Sequence, residues 1–154
     1  MQRSRAILLG TLVVGTLDAI DAFVFFGLRN GTTPTRIFQS IAAGLLGRAS
    51  FSEGLQSAAL GAVLHYFVAF GIAATYIVAS SFLPLLRRRW ILCGALYGIC
   101  AYFFMNLVVI PLSAIGPQRL TLSPPFFNGI FIHVFGVGLP TGFIAASVSN
   151  GRTS

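Results

Sequence analysis

Four long apolar stretches alternate with short polar segments along the chain. They cover residues 6–28, 55–86, 90–115 and 126–148, and each is long enough to cross the hydrocarbon core of a bilayer as a helix of about 20 residues. Only helices and closed barrels span lipid, and barrel strands are short and alternate in polarity. The pattern therefore predicts an all-α membrane protein, a four-transmembrane-helix bundle that forms one domain over residues 1–154.

A shorter element is expected in the first outer loop, at about residues 33–46. Thr33 suits an N-cap, Pro34 suits the first helical position, and Gly47 suits the helix end. Between these caps the apolar residues recur at helical spacing, at Ile37, Phe38, Ile41, Leu45 and Leu46. Because about 13 residues are too few to span, we expect an amphipathic helix on the outer surface, with a re-entrant element as the alternative.

Short internal matches indicate that the chain repeats a pair of helices. Residues 7–10 (Ile-Leu-Leu-Gly) resemble residues 91–94 (Ile-Leu-Cys-Gly), and residues 61–65 resemble residues 129–133, each of which ends in histidine. Since each half contains two helices, both halves face the same way in the membrane. We expect two parallel two-helix repeats, related by an axis along the membrane normal.

Charge is scarce and lies mainly at the ends of the apolar stretches. Only 8% of residues are charged, against about a quarter in a soluble domain. All ten basic residues are arginines, and the triplet Arg87–Arg89 between the second and third helices favours cytoplasmic termini by the positive-inside rule. The net charge of +7 does not indicate nucleic-acid binding, because no basic stripe with polar neighbours accompanies it.

Polar side chains inside the apolar stretches define the candidate site. Asp18 and Asp21 lie in the first stretch, His65 in the second, Asn106 in the third and His133 in the fourth. Counted from the helix ends, one such group from each helix lies about 8–12 Å below the outer edge, and Asp18 lies one turn deeper. Because charge is costly in lipid, these groups are expected to face the bundle interior as an intramembrane polar site.

Three functional interpretations of this polar layer stay open. In the first, the chain is an integral membrane protein whose polar site binds or passes a proton, an ion or a small solute. In the second, aspartate and histidine pair to fix helix register in a structural or partner-binding subunit. In the third, His65 and His133 hold a single b-type haem, or the chain is a quinone electron-transfer subunit.

No sequence signature indicates an enzyme or a resident cofactor. The glycines lie in apolar stretches without the strand context of a phosphate-binding loop, and no Ser-His-acid spacing stands out. No closely spaced ligand pair indicates a metal site. We therefore predict a non-enzymatic protein without catalytic residues, cofactor or metal. Its expected partners are the lipid bilayer and, given its small size, further copies of itself in a homo-oligomer.

Several segments together resemble a known family. They are residues 39–47, residues 61–65, residues 94–98 with 105–113, and residues 132–133 with 137–140. In these segments the chain is similar to bacterial membrane proteins of the YagU-like inner-membrane family. The resemblance implies a small multi-pass protein of the bacterial inner (plasma) membrane, and it implies neither a catalytic residue nor a cargo.

Overall fold

The computed structural model describes residues 1–148 and shows an all-helical chain; residues 149–154 of the predicted domain lie outside the described part. Within residues 1–148 the helices are α1 (Arg3–Asn30), α2 (Pro34–Leu46), α3 (Gly54–Phe82), α4 (Pro84–Arg88), α5 (Trp90–Leu112) and α6 (Pro124–Ala146). Four of them, α1, α3, α5 and α6, are long and apolar enough to span a membrane. The predicted helical class with four spans is confirmed.

One helix end differs from the prediction because of a proline. The apolar stretch 55–86 was expected to form one helix, but α3 ends at Phe82 and α4 begins at Pro84. Leu83 between them has φ −117° and ψ 88°, since the ring of a proline disfavours the helical conformation in the preceding residue. The chain therefore leaves the axis of α3 before it reaches the arginines that were expected at its end.

The spanning helices form two antiparallel pairs, α1 with α3 and α5 with α6. The second pair packs on the first mainly through α6, which contacts α1 along its length and α3 near the arginine-bearing end. By contrast, the backbones of α3 and α5 stay apart. Side chains bridge them near the arginine-bearing end, where the rings of Tyr76 and Tyr97 pack with 5.0 Å between centroids and Tyr97 Oη donates a hydrogen bond of 2.7 Å to the carbonyl of Ile72. The bundle is therefore closed around α6 and open between α3 and α5.

Glycines allow α5 and α6 to approach each other backbone to backbone. Gly94 and Gly98 are one helical turn apart on α5, as are Gly138 and Gly142 on α6. A Cβ at Gly94 would lie 2.7 Å from the Gly138 carbonyl oxygen, and one at Gly142 would lie 2.7 Å from that of Trp90. Lipid provides no hydrophobic driving force between helices. Small residues at this spacing instead stabilise the pair by allowing close van der Waals contact.

Both helices of this pair contain a π-helical segment just before a proline. The segment Met105–Val109 precedes Pro111, and the segment His133–Gly138 precedes Pro140. Proline lacks the N–H that would bond four residues back, and its ring collides with that carbonyl group. A wider turn relieves the collision. Because the helices are antiparallel and Gly98 faces His133, the two segments lie at different levels of the pair.

The short helix α2 packs across the loop end of the bundle. Its first turn is capped by the Thr33 side chain. Phe38 lies so close to α3 that a Cβ at Gly61 would overlap the Phe38 carbonyl group. At its other end, the Gly44 carbonyl accepts a hydrogen bond of 2.9 Å from the backbone N–H of Ala114. Thus α2 connects α3 to the segment that follows α5.

Replacing Gly98 with alanine should destabilise the bundle, because the new Cβ would collide with the His133 carbonyl group on α6. We expect the free energy of unfolding to fall by about 1–3 kcal/mol, the usual cost of overpacking. Gly71→Ala is the matched control, since nothing lies within 4 Å of a Cβ there, and it should be neutral or stabilising. Thermal unfolding of both variants in one detergent tests this. A Gly98→Ala protein as stable as wild type would contradict the close α5–α6 contact.

Candidate functional site

One partly open cavity brings together polar side chains from all four spanning helices. It has a volume of about 240 Å³, and its lining includes Asp18 of α1, His65 of α3, Asn106 of α5 and His133 of α6. Ile41 of α2 contributes to the wall from the loop end. Four of the five site residues predicted from the sequence thus lie around the same space.

The π-helical segments carry two of these polar side chains. Asn106 lies in the segment of α5, and His133 begins the segment of α6. A π turn holds more residues than an α turn, so it changes the direction in which its side chains point. Asn106 Nδ2 donates a hydrogen bond of 2.9 Å to the Tyr102 carbonyl in its own helix. This leaves the Asn106 Oδ1 atom as an acceptor.

His65 faces oxygen atoms with both of its ring nitrogens. Its Nε2 lies 2.7 Å from the Gly15 carbonyl oxygen, and because a carbonyl only accepts, Nε2 carries the hydrogen. In the neutral ring Nδ1 is then an acceptor, and it lies 4.0 Å from Oδ2 of Asp18. The His65 side chain is 11% exposed and that of Asp18 is 31% exposed. At 4.0 Å these two acceptors are too far apart to share a proton directly, and the gap admits a donor that hydrogen-bonds to both.

His133 has the same hydrogen-bonding character on α6. Its Nδ1 donates a hydrogen bond of 2.9 Å to the Gly129 carbonyl, which leaves Nε2 as the acceptor of the neutral ring. The ring packs edge-on against Tyr102, with 5.5 Å between centroids. All four polar residues of the cavity therefore offer acceptor atoms, and the residues that line it include no lysine or arginine.

Asp21 lies apart from this cavity. Its Oδ2 accepts a hydrogen bond of 2.7 Å from Nδ2 of Asn128 on α6. The sequence predicts Asp21 in the common layer and Asp18 one turn deeper, whereas in the structure Asp18 is the carboxylate beside His65. Asn128 carries no signal in the sequence, because it closely follows Pro125, where an amide is ordinary for a polar helix end. The Asp21–Asn128 hydrogen bond joins α1 to α6.

The possible metal or haem ligands of the site are its two histidines and its carboxylate. Among residues 1–148, no three histidine, cysteine or acidic side chains are grouped closely enough to hold a metal. His65 and His133 each donate one ring N–H to a backbone carbonyl and keep one bare nitrogen, as histidines that ligate a metal or haem commonly do. Binding of one haem between them therefore stays a prediction from the sequence.

Comparison with protein-family models, with curated proteins and with solved structures gives no match. The chemistry of the cavity is therefore the basis for inferring what the protein does.

Asn128→Ala should lower the free energy of unfolding by about 1–2 kcal/mol, because Asp21 loses its donor within an apolar helix pair. Thr11→Ala is the control, since Thr11 donates to the Ile7 carbonyl of its own helix and joins no second helix. Denaturant unfolding in mixed micelles measures both. Equal losses in the two variants would contradict the view that the Asp21–Asn128 contact fastens α1 to α6.

Proposed function

We propose that the chain is an integral membrane protein whose polar cavity binds or passes a cation, in the simplest case a proton. The observation that carries the proposal is the convergence of acceptor atoms from four spanning helices on one cavity. A carboxylate and acceptor nitrogens stabilise positive charge and attract donors. Ionisable groups inside a membrane mark ion pathways and proton relays. An anion would instead be repelled by Asp18.

The Asp18–His65 pair supplies two proton acceptors on neighbouring helices. When Nδ1 of His65 is protonated, the pair carries one positive and one negative charge across 4.0 Å. When that proton leaves, a neutral ring faces the carboxylate. His133 on α6 lines the same cavity and supplies a second acceptor. Chains of aspartate and histidine are the usual elements of such relays.

A structural role is the second candidate, and two hydrogen bonds favour it. The His65–Gly15 contact joins α3 to α1, and the Asp21–Asn128 contact joins α1 to α6. Hydrogen bonds between membrane helices contribute on average about 0.6 kcal/mol each. On this view the same side chains hold the helices of a partner-binding subunit in register, and replacing them changes stability alone.

We also propose that the protein is a non-enzymatic, multi-pass protein of the bacterial inner (plasma) membrane, with both termini cytoplasmic. The triplet Arg87–Arg89 supports this orientation, and the resemblance to YagU-like proteins supports the location in the inner membrane. In this orientation α2 lies at the outer face. The pairs α1–α3 and α5–α6 are then the two parallel repeats, and the small bundle is suited to a homo-oligomer.

Asp18→Asn should abolish a proton flux that the wild-type protein supports in proteoliposomes, because an amide of the same size cannot take up the charge. We expect a loss of about tenfold or more, in line with the central position of intramembrane carboxylates in proton relays. Glu53→Gln is the matched control, since it makes the same chemical change in the loop before α3 and should keep the flux. An internal pH dye, read after a valinomycin-imposed potential, measures the rate.

Two results would reject proton transport. One is an undiminished flux in Asp18→Asn, and the other is a wild-type flux no greater than that of empty liposomes. A lower melting temperature of Asp18→Asn, in the absence of any flux, would support the structural role.

A further inference from the structure

A second, apolar groove lies beside the polar cavity, between α3 and α5. Its volume is about 610 Å³, and its walls are mostly aromatic and aliphatic. Phe67, Phe70 and Phe104 line it and are 70%, 44% and 57% exposed, so the groove opens on the surroundings of the bundle. Toward the arginine-bearing end it is bounded by the hydrogen bond from Tyr97 to the Ile72 carbonyl.

The groove and the polar cavity share part of their walls. Val68 and Ile72 of α3 and Met105 of α5 line both spaces. Met105 begins the π-helical segment of α5, and an unbranched methionine side chain has three rotatable bonds that let it adapt to its neighbours. Rotation of side chains alone can therefore connect the open groove with the polar cavity.

The two spaces suit the two ends of an amphipathic molecule. The cavity offers several acceptors around the Asp18 carboxylate, and no lysine or arginine lines it, which matches an ammonium group with three N–H donors. The groove offers aromatic rings that contact an alkyl chain and whose faces attract a passing cation. A carboxylate or phosphate head would meet the charge of Asp18 without a compensating arginine.

We propose that a primary amine with a long alkyl chain enters from the bilayer through this groove and binds with its ammonium at Asp18 and its chain between α3 and α5. The inference rests on the proposed cation cavity and adds the class of substrate and its route. A helix of a second copy, about 10 Å wide with its side chains, could cover the groove but could not enter the cavity. The shared wall therefore favours a single flexible chain.

Equilibrium binding of tritiated decylamine and ethylamine to the full chain in lipid nanodiscs tests the route, with empty nanodiscs as the blank. Nothing lies within 4 Å of a Cβ at Gly71, which lines the groove, so Gly71→Leu adds its side chain to the groove from a position with free space. Wild type should bind both amines. Gly71→Leu should weaken decylamine binding about tenfold or more, because the filled groove would be overpacked by the chain, and should leave ethylamine binding unchanged.

Gly27→Leu is the matched control for this variant. It makes the same change at a helical glycine outside the groove, where the nearest atom to a Cβ is the Thr32 carbonyl oxygen at 3.7 Å. It should bind both amines as wild type does.

Cys100 provides a measurement that does not depend on the folding of a groove variant. It is an exposed free thiol in the groove wall. In a Cys93→Ala background, decylamine at ten times its Kd should slow alkylation of Cys100 by a maleimide about tenfold by mass action. Ethylamine at the same multiple of its Kd should leave the rate unchanged.

The outcomes separate this inference from the proposed function. Equal decylamine binding by wild type and Gly71→Leu, without protection of Cys100, overturns the lateral route and leaves the cation cavity standing. If wild type binds neither decylamine nor ethylamine, the amine assignment is overturned. The proteoliposome flux still decides proton transport. A change of oligomeric state in Gly71→Leu without loss of amine binding assigns the groove to a second copy and overturns the proposal.

Discussion

The hydrocarbon core supplies no water, so each polar side chain on a spanning helix needs a partner within the bundle. Most such groups here use backbone carbonyls as acceptors. Thr11 and Thr141 each donate to a carbonyl one turn back in their own helix, and His65 donates to Gly15 of a neighbouring helix. Asp18 differs, because its Oδ2 lies 4.0 Å from Nδ1 of His65, which is an acceptor when the ring is neutral. The cavity is therefore where acceptors exceed donors.

The close α5–α6 contact also explains why the bundle is open on one side. Gly94 and Gly98 bring α5 against the backbone of α6, and this position takes α5 away from α3. The wider turns before Pro111 and Pro140 then lie beside the space that the two helix pairs leave between them. The positions of the glycines on α5 thus account both for the dense α5–α6 contact and for the open α3–α5 groove.

The sequence sufficed to predict the helical class and the number of spans, because the thickness of the bilayer alone sets the length of an apolar stretch. It also predicted most of the cavity, since polar groups in lipid must turn inward and their depth follows from counting residues. It could not assign Asp18 to His65 and Asp21 to Asn128. These two carboxylates are three residues apart on α1. Which partner each of them contacts depends on where α3 and α6 pack around that helix.

At two further places a local interaction, which the hydropathy pattern does not show, determines the structure. The apolar run across Leu83 is continuous, so hydropathy gave no reason to end α3 there, yet the proline that follows is enough to break the helix. The acceptor character of His65 and His133 depends on the carbonyl groups of Gly15 and Gly129. Backbone carbonyl groups occur at every residue, so no sequence pattern reveals which of them a histidine will use.

The ends of the polar cavity decide how a cation can reach it. On the arginine-bearing side, Val14, Ala69 and Val137 form a buried apolar cluster. A second buried cluster that includes Ala73 and Ile77 lies behind it. At the loop end Ile41 of α2 contributes to the cavity wall. A cation of the kind proposed above would have to pass these two buried apolar clusters to leave on the arginine-bearing side. For the proposed amine, Val68, Ile72 and Met105 form the wall between the groove and the polar cavity.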